Sequence, residues 1–326
     1  MKYIDVFNGD ADGIFSLVQW RKAFPVLPEQ QHLVSGVKRD NALIRKIDED
    51  EAQQAIITAL DISFDKNTEA LRHVMSHVES IFYCDHHQAE TLFEHPRLKA
   101  VIDFSPNVCT GLLISDQLQR KYHVWAIAAA FGDSLNNVAY AECQKLGLSA
   151  TQAEQLQELG VLVNYNGYGA AMRDLHITPQ NLFRALMNYD SPFDVIADSM
   201  SPFSLLQQGF AEDMAKANDT LMLVNNETVK AIMLDDAAWA RRISGTLGND
   251  IAHANPSQAT VIATPNSDGT TLTISLRAPK SNLRGAGDVC AKFPTGGGRA
   301  GAAGINALPT EQLSRFIDAV IDFYAE

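Results

Sequence analysis

The sequence predicts an α/β protein, with a parallel-sheet domain joined by a helical connector to a smaller α/β domain. Two observations predict it. In the first hundred or so residues short apolar runs alternate with polar or helical stretches, the pattern of parallel strands joined by helical crossovers. After a mostly helical middle, strand-like runs return from residue 229. A chain of 326 residues is long enough to bury the cores of two ordinary domains.

The elements follow in order. "YIDVF" (3–7) is a short apolar strand, and "GIFSLVQWRKAF" (13–24) carries Ile14, Leu17, Val18 and Trp20 at helical spacing. "QAIITAL" (54–60), "SIFYC" (80–84) and "KAVID" (99–103) are further strands. Residues 136–225 have a mostly helical pattern, broken at the prolines of "DSPFD" and "MSPFS". "VKAIMLD" (229–235), "ATVIATP" (259–265) and, after the turn "NSDG", "TLTISLRAP" (271–279) are strands. "PTEQLSRFIDAVIDFYAE" closes the chain as an amphipathic helix with Pro309 near its start. These place a first domain at 1–190, a helical connector at 191–215 and a second domain at 216–326.

Composition narrows the function. Hydrophobic content of 46% with 20% charged residues belongs to a soluble globular protein. The 26 Lys+Arg against 39 Asp+Glu give a net charge of −13, which argues against a general binder of long nucleic acid. A small anionic ligand stays open, because one basic site can sit on an acidic surface. Cys84, Cys109, Cys143 and Cys290 show no CxxC spacing and read as buried free thiols in a reducing compartment. No apolar run approaches the ~18 residues of a membrane span. "MKYIDVFNGD" meets a carboxylate too early for a signal peptide, so the expected location is cytoplasmic.

Acidic residues recur in one local setting. "YIDVFNGDADG" puts Asp10 and Asp12 just past the first strand, and "IITALDISF" puts Asp61 just past the third segment. "IFYCDHH" ends a strand with Asp85, His86 and His87, and "WAIAAAFGDSLNN" delivers Asp133 after another apolar run. The C-terminal ends of parallel strands lie along one sheet edge, where ligands bind, so these residues are expected to converge. Converging carboxylates repel and raise one another's pKa unless a cation intervenes. Oxygen ligands mixed with imidazole suit Mn²⁺, with Co²⁺, Fe²⁺ or Mg²⁺ as alternatives. More carboxylates than one ion needs suggest two ions, the arrangement used for phosphoryl hydrolysis. His73 and His77 stand four apart on a helix and read as a surface or core face.

"FPTGGGRAGAAGIN" (293–306) is the other strong signal. Gly296, Gly298 and Gly301 fit GxGxxG, yet no strand leads in and too little chain follows for a dinucleotide-binding unit. Consecutive glycines Gly296, Gly297 and Gly298 leave backbone N–H groups open to an anion, and Arg299 can add a bidentate charge. Arg277 and Arg284 stand close in sequence and are candidates for the same pocket.

Together these motifs resemble the DHH phosphoesterases with a glycine-rich C-terminal substrate domain. "NGDADG", "LDIS", "CDHH", "GDSLNN" and "TGGGRAGAAG" are similar to that family's motifs, in its order and over most of the chain. The resemblance implies two α/β domains flanking an active-site cleft, with two divalent cations, usually Mn²⁺, on the first. Carried over, Asp10 and Asp12 would each bind one ion, Asp61 would bridge, and His86 and Asp133 would complete the second ion's shell. Asp85 would orient a histidine and His87 would contact substrate phosphate or nucleophile. The glycine loop with Arg299, and Arg277 before it, would hold the distal phosphate or nucleotide end. Two positions depart from the family: Val6 stands where many members have a histidine ligand, leaving Asn8 or water to fill that shell, and Arg299 replaces the histidine of GGGH.

The resemblance also implies hydrolysis of 5′-phosphorylated di- to oligoribonucleotides to mononucleotides as the preferred activity. Cyclic dinucleotides and 3′,5′-bisphosphate nucleotides are the nearest alternatives. A nucleotide or metal sensor without turnover is the rival of another class, and a dinucleotide-cofactor oxidoreductase a distant third. The expected partner is a short nucleotide, with no long nucleic acid and no membrane; a homodimer is left open.

Overall fold

Runs of apolar and β-branched residues make a parallel sheet of β1 (Lys2–Phe7), β2 (Gln31–Ser35), β3 (Ala55–Leu60), β4 (Ser80–Asp85) and β5 (Leu98–Ile102), with β1, β3 and β4 buried over most of their length and the edge strand β5 partly exposed. The computed structural model describes residues 1–325 and divides into two units, Met1–Gly209 and Phe210–Glu326. In the first unit the strand order is β2-β1-β3-β4-β5. The order reverses between β1 and β3, so the chains leaving their C-terminal ends part and open a crevice.

Period-two alternation decides what each face of this sheet touches. Ile4, Val6, Ile57, Ala59, Ile81 and Tyr83 share a core with Phe64, Leu71 and Val74 of the helix after β3. On the alternate side of β1, buried Asp5 accepts from Arg21 Nε at 2.8 Å, tying the strand to the helix that follows it. The helices of this unit are α1 (Ala11–Ala23), α2 (Glu49–Ala52), α3 (Phe64–Val74), α4 (Thr110–Gln117), α5 (His123–Gly132), α6 (Asn136–Lys145), α7 (Ala150–Gly167), α8 (Pro179–Leu186) and α9 (Pro192–Ala197). α1, α4, α5 and α7 pack against one another. The apolar run before Asp133, grouped with the strand ends by sequence, is therefore α5: an alanine-rich stretch has no strand period, and fully buried helices and strands look alike over ten residues.

The division between units falls inside α10 (Pro202–Lys216). Residues 191–209, expected in a connector, cluster with the first unit, where α9 packs on α7 and α5.

The second unit holds β6 (Leu221–Asn225), β7 (Val229–Met233), α11 (Ala238–Ala254), β8 (Ala259–Pro265), β9 (Thr271–Arg277), α12 (Ala286–Ala291), β10 (Gly296–Gly298), β11 (Ala302–Pro309) and α13 (Leu313–Tyr324). Its sheet runs β10-β11-β9-β8-β7-β6, with β7 and β8 parallel and the other neighbours antiparallel. Val261, Ile274, Leu276 and Ile305 from the sheet meet Phe316 and Val320 of α13 in its core. The glycine-rich stretch is thus a hairpin, β10–β11. Among the described residues no helix opens on its glycines, which removes the nucleotide-cofactor reading of GxGxxG.

Candidate metal centre

The loop after β1 is built for close approach. A Cβ on Gly9 would lie 1.9 Å from the Gly36 carbonyl oxygen, and one on Gly13 2.3 Å from that of Asn8. With both positions bare, Asp10 caps α1, its Oδ1 accepting the Gly13 N–H at 3.1 Å. Asp12, on the first turn, reaches the start of α4, accepting the Thr110 N–H at 2.8 Å and the Gly111 N–H at 2.7 Å. The amide dipoles of that helix end favour its negative charge.

Asp61 leaves β3 in the left-handed region, with φ +57°, a conformation that costs a non-glycine residue energy. Its N–H donates to the Cys84 carbonyl at 3.0 Å, and its Oδ1 accepts the Thr110 hydroxyl at 3.3 Å. β4 ends at Asp85 and delivers His86 and His87 beside it. His86 Nε2 lies 3.5 Å from Asp61 Oδ1, 3.7 Å from Asp12 Oδ2 and 3.7 Å from Asp133 Oδ2. Asp85 is fully buried and holds His87 Nδ1 at 2.6 Å, itself 3.9 Å from Asp61 Oδ1. Asp10 and Asp61 are within hydrogen-bonding reach. The acidic and histidine residues singled out from sequence therefore converge, Asp133 from a helix end and the rest from strand ends.

The electrostatics of this cluster are split. Burial, then the charges of Asp12, Asp10, Asp85 and Asp133, push Asp61 well above the usual carboxylate range. Asp133 is raised by burial and by Asp12 and Asp10, against the opposing pull of Lys38 and His86. Asp10 goes the other way: burial disfavours its charge, but Lys38 overrides that and brings it down to about 2. Burial also disfavours a charged His87, and the hydrogen bond and charge of Asp85 outweigh it, so its pKa is raised.

The donor set fits a divalent cation. Asp85 Oδ2, Asp133 Oδ2 and Asn8 Oδ1 are buried without a hydrogen-bond partner, a state that costs about 1–3 kcal/mol for a polar atom and more for a charged one. Hard carboxylate oxygens around one imidazole are ligands for Mn²⁺, Mg²⁺ or a similar ion. Among the described residues, Asp61, His86 and His87 offer ligand atoms within 4.8 Å of one another. The exposed Glu49 and His73, with the half-buried His77, do so as well.

Lys38 is the residue that sequence reasoning missed. Its Nζ lies 2.5 Å from Asp10 Oδ2 and 2.7 Å from Asn164 Oδ1, over the Tyr168 ring. Burial disfavours its charge, but Asp10, Tyr168 and Asp133 outweigh that and raise its pKa. "GVKRD" carries no spacing that ties it to Asp10, so only the fold reveals the pair.

In the second unit, Arg299 and Arg284 are exposed, Arg299 in the β10–β11 turn and Arg284 before α12. That turn is braced by backbone bonds from Ala278 to Gly301, Ala286 to Ala300 and Gly287 to Arg299. Arg277 differs from the expectation of a ligand contact. It donates to Asn249 Oδ1 at 2.7 Å, the Gly245 carbonyl at 3.2 Å and the Ser275 hydroxyl at 2.9 Å, fastening α11 to β9.

No family model matches the chain, and no curated protein matches it in sequence. Solved structures match it with TM-scores above 0.5. RecJ from Thermus thermophilus in complex with Mn²⁺ aligns at TM-score 0.64 and 14% identity, over 99% of this chain and 52% of that one. This chain thus spans about half the length of that RecJ. The DHH domain of a protein described as a ribosomal-protein family member aligns at 0.64 and 12%, over 99% of this chain and 86% of that one. PggH, a pGpG-specific phosphodiesterase from Vibrio cholerae, aligns at 0.56 and 13%, over 100% and 99%. At these identities the likeness is one of fold: the chain has the two-unit α/β fold of DHH-domain proteins.

Proposed function

We propose that this chain is a DHH-type phosphoesterase: a divalent-metal-dependent phosphodiesterase that cleaves short nucleotides, with 5′-phosphorylated linear di- to oligoribonucleotides as substrate. The convergence of Asp12, Asp61 and Asp133 on His86 Nε2, with the Asp133 Oδ2 atom left unpartnered, carries the reading. Crowded buried carboxylates are tolerated where a cation neutralises them. Asp12, Asp61, His86 and Asp133 would hold the ion, Mn²⁺ being the best fit to this donor set. When bound, it supplies Lewis acidity toward a phosphoryl group.

The remaining work falls to the chain's own residues. Asp85 fixes the His87 ring through Nδ1, which leaves Nε2 to meet a substrate oxygen. The raised pKa of His87 keeps it protonated further into the neutral range, so it donates to phosphate and supplies a proton to a departing oxygen. The exposed Arg299, on its glycine hairpin, offers a planar guanidinium fork suited to bidentate recognition of a phosphate.

Substrate size rests on two supports. The net charge of −13 disfavours a groove for long nucleic acid. The end-to-end likeness to a pGpG-specific phosphodiesterase favours a dinucleotide-sized substrate. No helix among the described residues is long and apolar enough to cross a membrane, and the four cysteines are buried free thiols, which favours the cytoplasm.

The test is turnover of a 5′-phosphorylated diribonucleotide by metal-stripped protein, with and without Mn²⁺, beside Asp133→Ala. Mononucleotide released only by the wild type with metal supports the reading. Tight binding without product makes the protein a nucleotide sensor. Neither binding nor product removes the linear substrate and brings forward cyclic dinucleotides and 3′,5′-bisphosphates.

A further inference from the structure

We infer that the centre takes one divalent cation rather than two, and that the Lys38 ammonium stands permanently at the position beside Asp10 that a second ion would need. The inference rests on the phosphodiesterase reading for its chemical use, though the ion count stands apart from it.

Three observations carry it. Both oxygens of Asp10 are engaged, Oδ1 by the Gly13 N–H at 3.1 Å and Oδ2 by Lys38 Nζ at 2.5 Å. Lys38 is also held from several sides, unlike a swinging surface lysine. Its Nζ reaches Asn164 Oδ1 at 2.7 Å and lies 5.4 Å from the Tyr168 ring centroid, while its N–H donates to the Gly167 carbonyl at 2.9 Å. Its own carbonyl accepts Asn8 Nδ2 at 3.2 Å. Finally, the side chains next to Asp10 on the β1 side make a thin ligand set for a second ion: Val6 is an alkyl group, and Asn8 offers a single neutral amide oxygen, buried and without a hydrogen-bond partner.

The carboxylates therefore divide between two cations of different kinds. Asp12, Asp61 and Asp133 gather about His86 and need an ion; Asp10 already has a fixed ammonium. A lysine is a compact point charge, able to neutralise a phosphoryl oxygen as an ion would, without the need to be loaded.

Mn²⁺ stoichiometry tests this without substrate, by equilibrium dialysis with elemental analysis and by electron paramagnetic resonance. The wild type is expected to saturate at one Mn²⁺ per chain, with the spectrum of an isolated ion. Lys38→Ala, which removes both charge and bulk, is expected to admit a second, weaker equivalent, with a spin-coupled spectrum. That second equivalent should vanish in Lys38→Ala/Asp10→Asn. Two Mn²⁺ in the wild type would overturn the inference. So would one in both wild type and Lys38→Ala, since Lys38 would then exclude nothing. If circular dichroism shows Lys38→Ala unfolded, Lys38→Met keeps the packing stem and is read by the same outcomes. A protein without phosphodiesterase activity leaves the ion count unaltered, so the two readings fail separately.

Discussion

The metal centre and the glycine hairpin carry their chemistry in opposite ways. In the centre, Asp10, Asp12, Asp61 and Asp85 are buried side chains fixed by short polar contacts, and Asp61 adds a left-handed backbone. In the hairpin, β10 has no side chains at all, and Arg284 and Arg299 are exposed. One region stores function as electrostatic repulsion that the rest of the fold must hold in place. The other stores it as room for a backbone to approach. The first should therefore respond to a change of charge, and the second to a change of volume.

The largest expected effect tests the first half of that contrast. Asp61→Asn keeps the shape and removes one charge from the crowded set. Turnover of the diribonucleotide should fall by at least ~10³-fold, the scale of losing a principal electrostatic group. Without metal, the same variant should melt above the wild type. Because the folded-state pKa of Asp61 is raised, its contribution to stability is fully present below about pH 4 and is lost as pH rises through the raised value. The gap in Tm between variant and wild type should thus widen from about pH 4 toward neutrality. Added Mn²⁺ should raise the wild type's Tm and leave the variant's nearly unmoved. A Tm gap that stays flat with pH would mean that repulsion is not what the centre stores.

Much of this contrast is legible in the sequence, and the gaps have physical causes. The apolar strands that bracket the centre stand out because a covered sheet needs unbroken hydrophobic runs, and every motif aspartate but Asp133, which caps α5, stands at the end of such a run or just past it. β2 is hidden because "QHLVS" is short and begins polar. β10 and β11 are hidden because "GGG" and "AAGINALP" carry little β propensity; pairing with β9 makes a strand of β11, and β10 pairs with β11 in turn. Lys38 meets Asp10 across 28 residues, through folding alone. Arg277 reads as a ligand in sequence because proximity to Arg299 cannot show that its guanidinium is turned onto α11.

Volume in the hairpin gives the second test, smaller and confined to the second unit. A Cβ at Gly296 would sit 1.9 Å from the Cys290 carbonyl oxygen and 2.6 Å from its carbon, backbone atoms that cannot swing away. Gly296→Ala should cost about 1–3 kcal/mol, as overpacking does. At Gly297 a Cβ meets nothing within 4 Å, so Gly297→Ala should stay within ~0.5 kcal/mol. Denaturant unfolding followed by a probe in the second unit would measure both. Mn²⁺ affinity should not change in either variant, since every proposed ligand lies in the first unit. Equal costs at 296 and 297 would break the idea that this hairpin is specified by where a side chain is forbidden.

The smallest effect concerns what the hairpin presents rather than how it is built. Arg299 is exposed in the turn, and its backbone N–H donates to the Ala302 carbonyl at 2.9 Å, a bond that any residue but proline would keep. Arg299→Ala should therefore leave folding unchanged and raise KM for the 5′-phosphorylated dinucleotide about tenfold, or ~1.4 kcal/mol, with kcat little altered. Removing the 5′-phosphate from the substrate should erase the difference between variant and wild type. Arg299→Lys should recover only part of the loss, because one ammonium cannot match a planar fork on a phosphate. A fall in kcat at constant KM would instead place Arg299 in the transition state, and the division between a charged centre and a recognising hairpin would have to be given up.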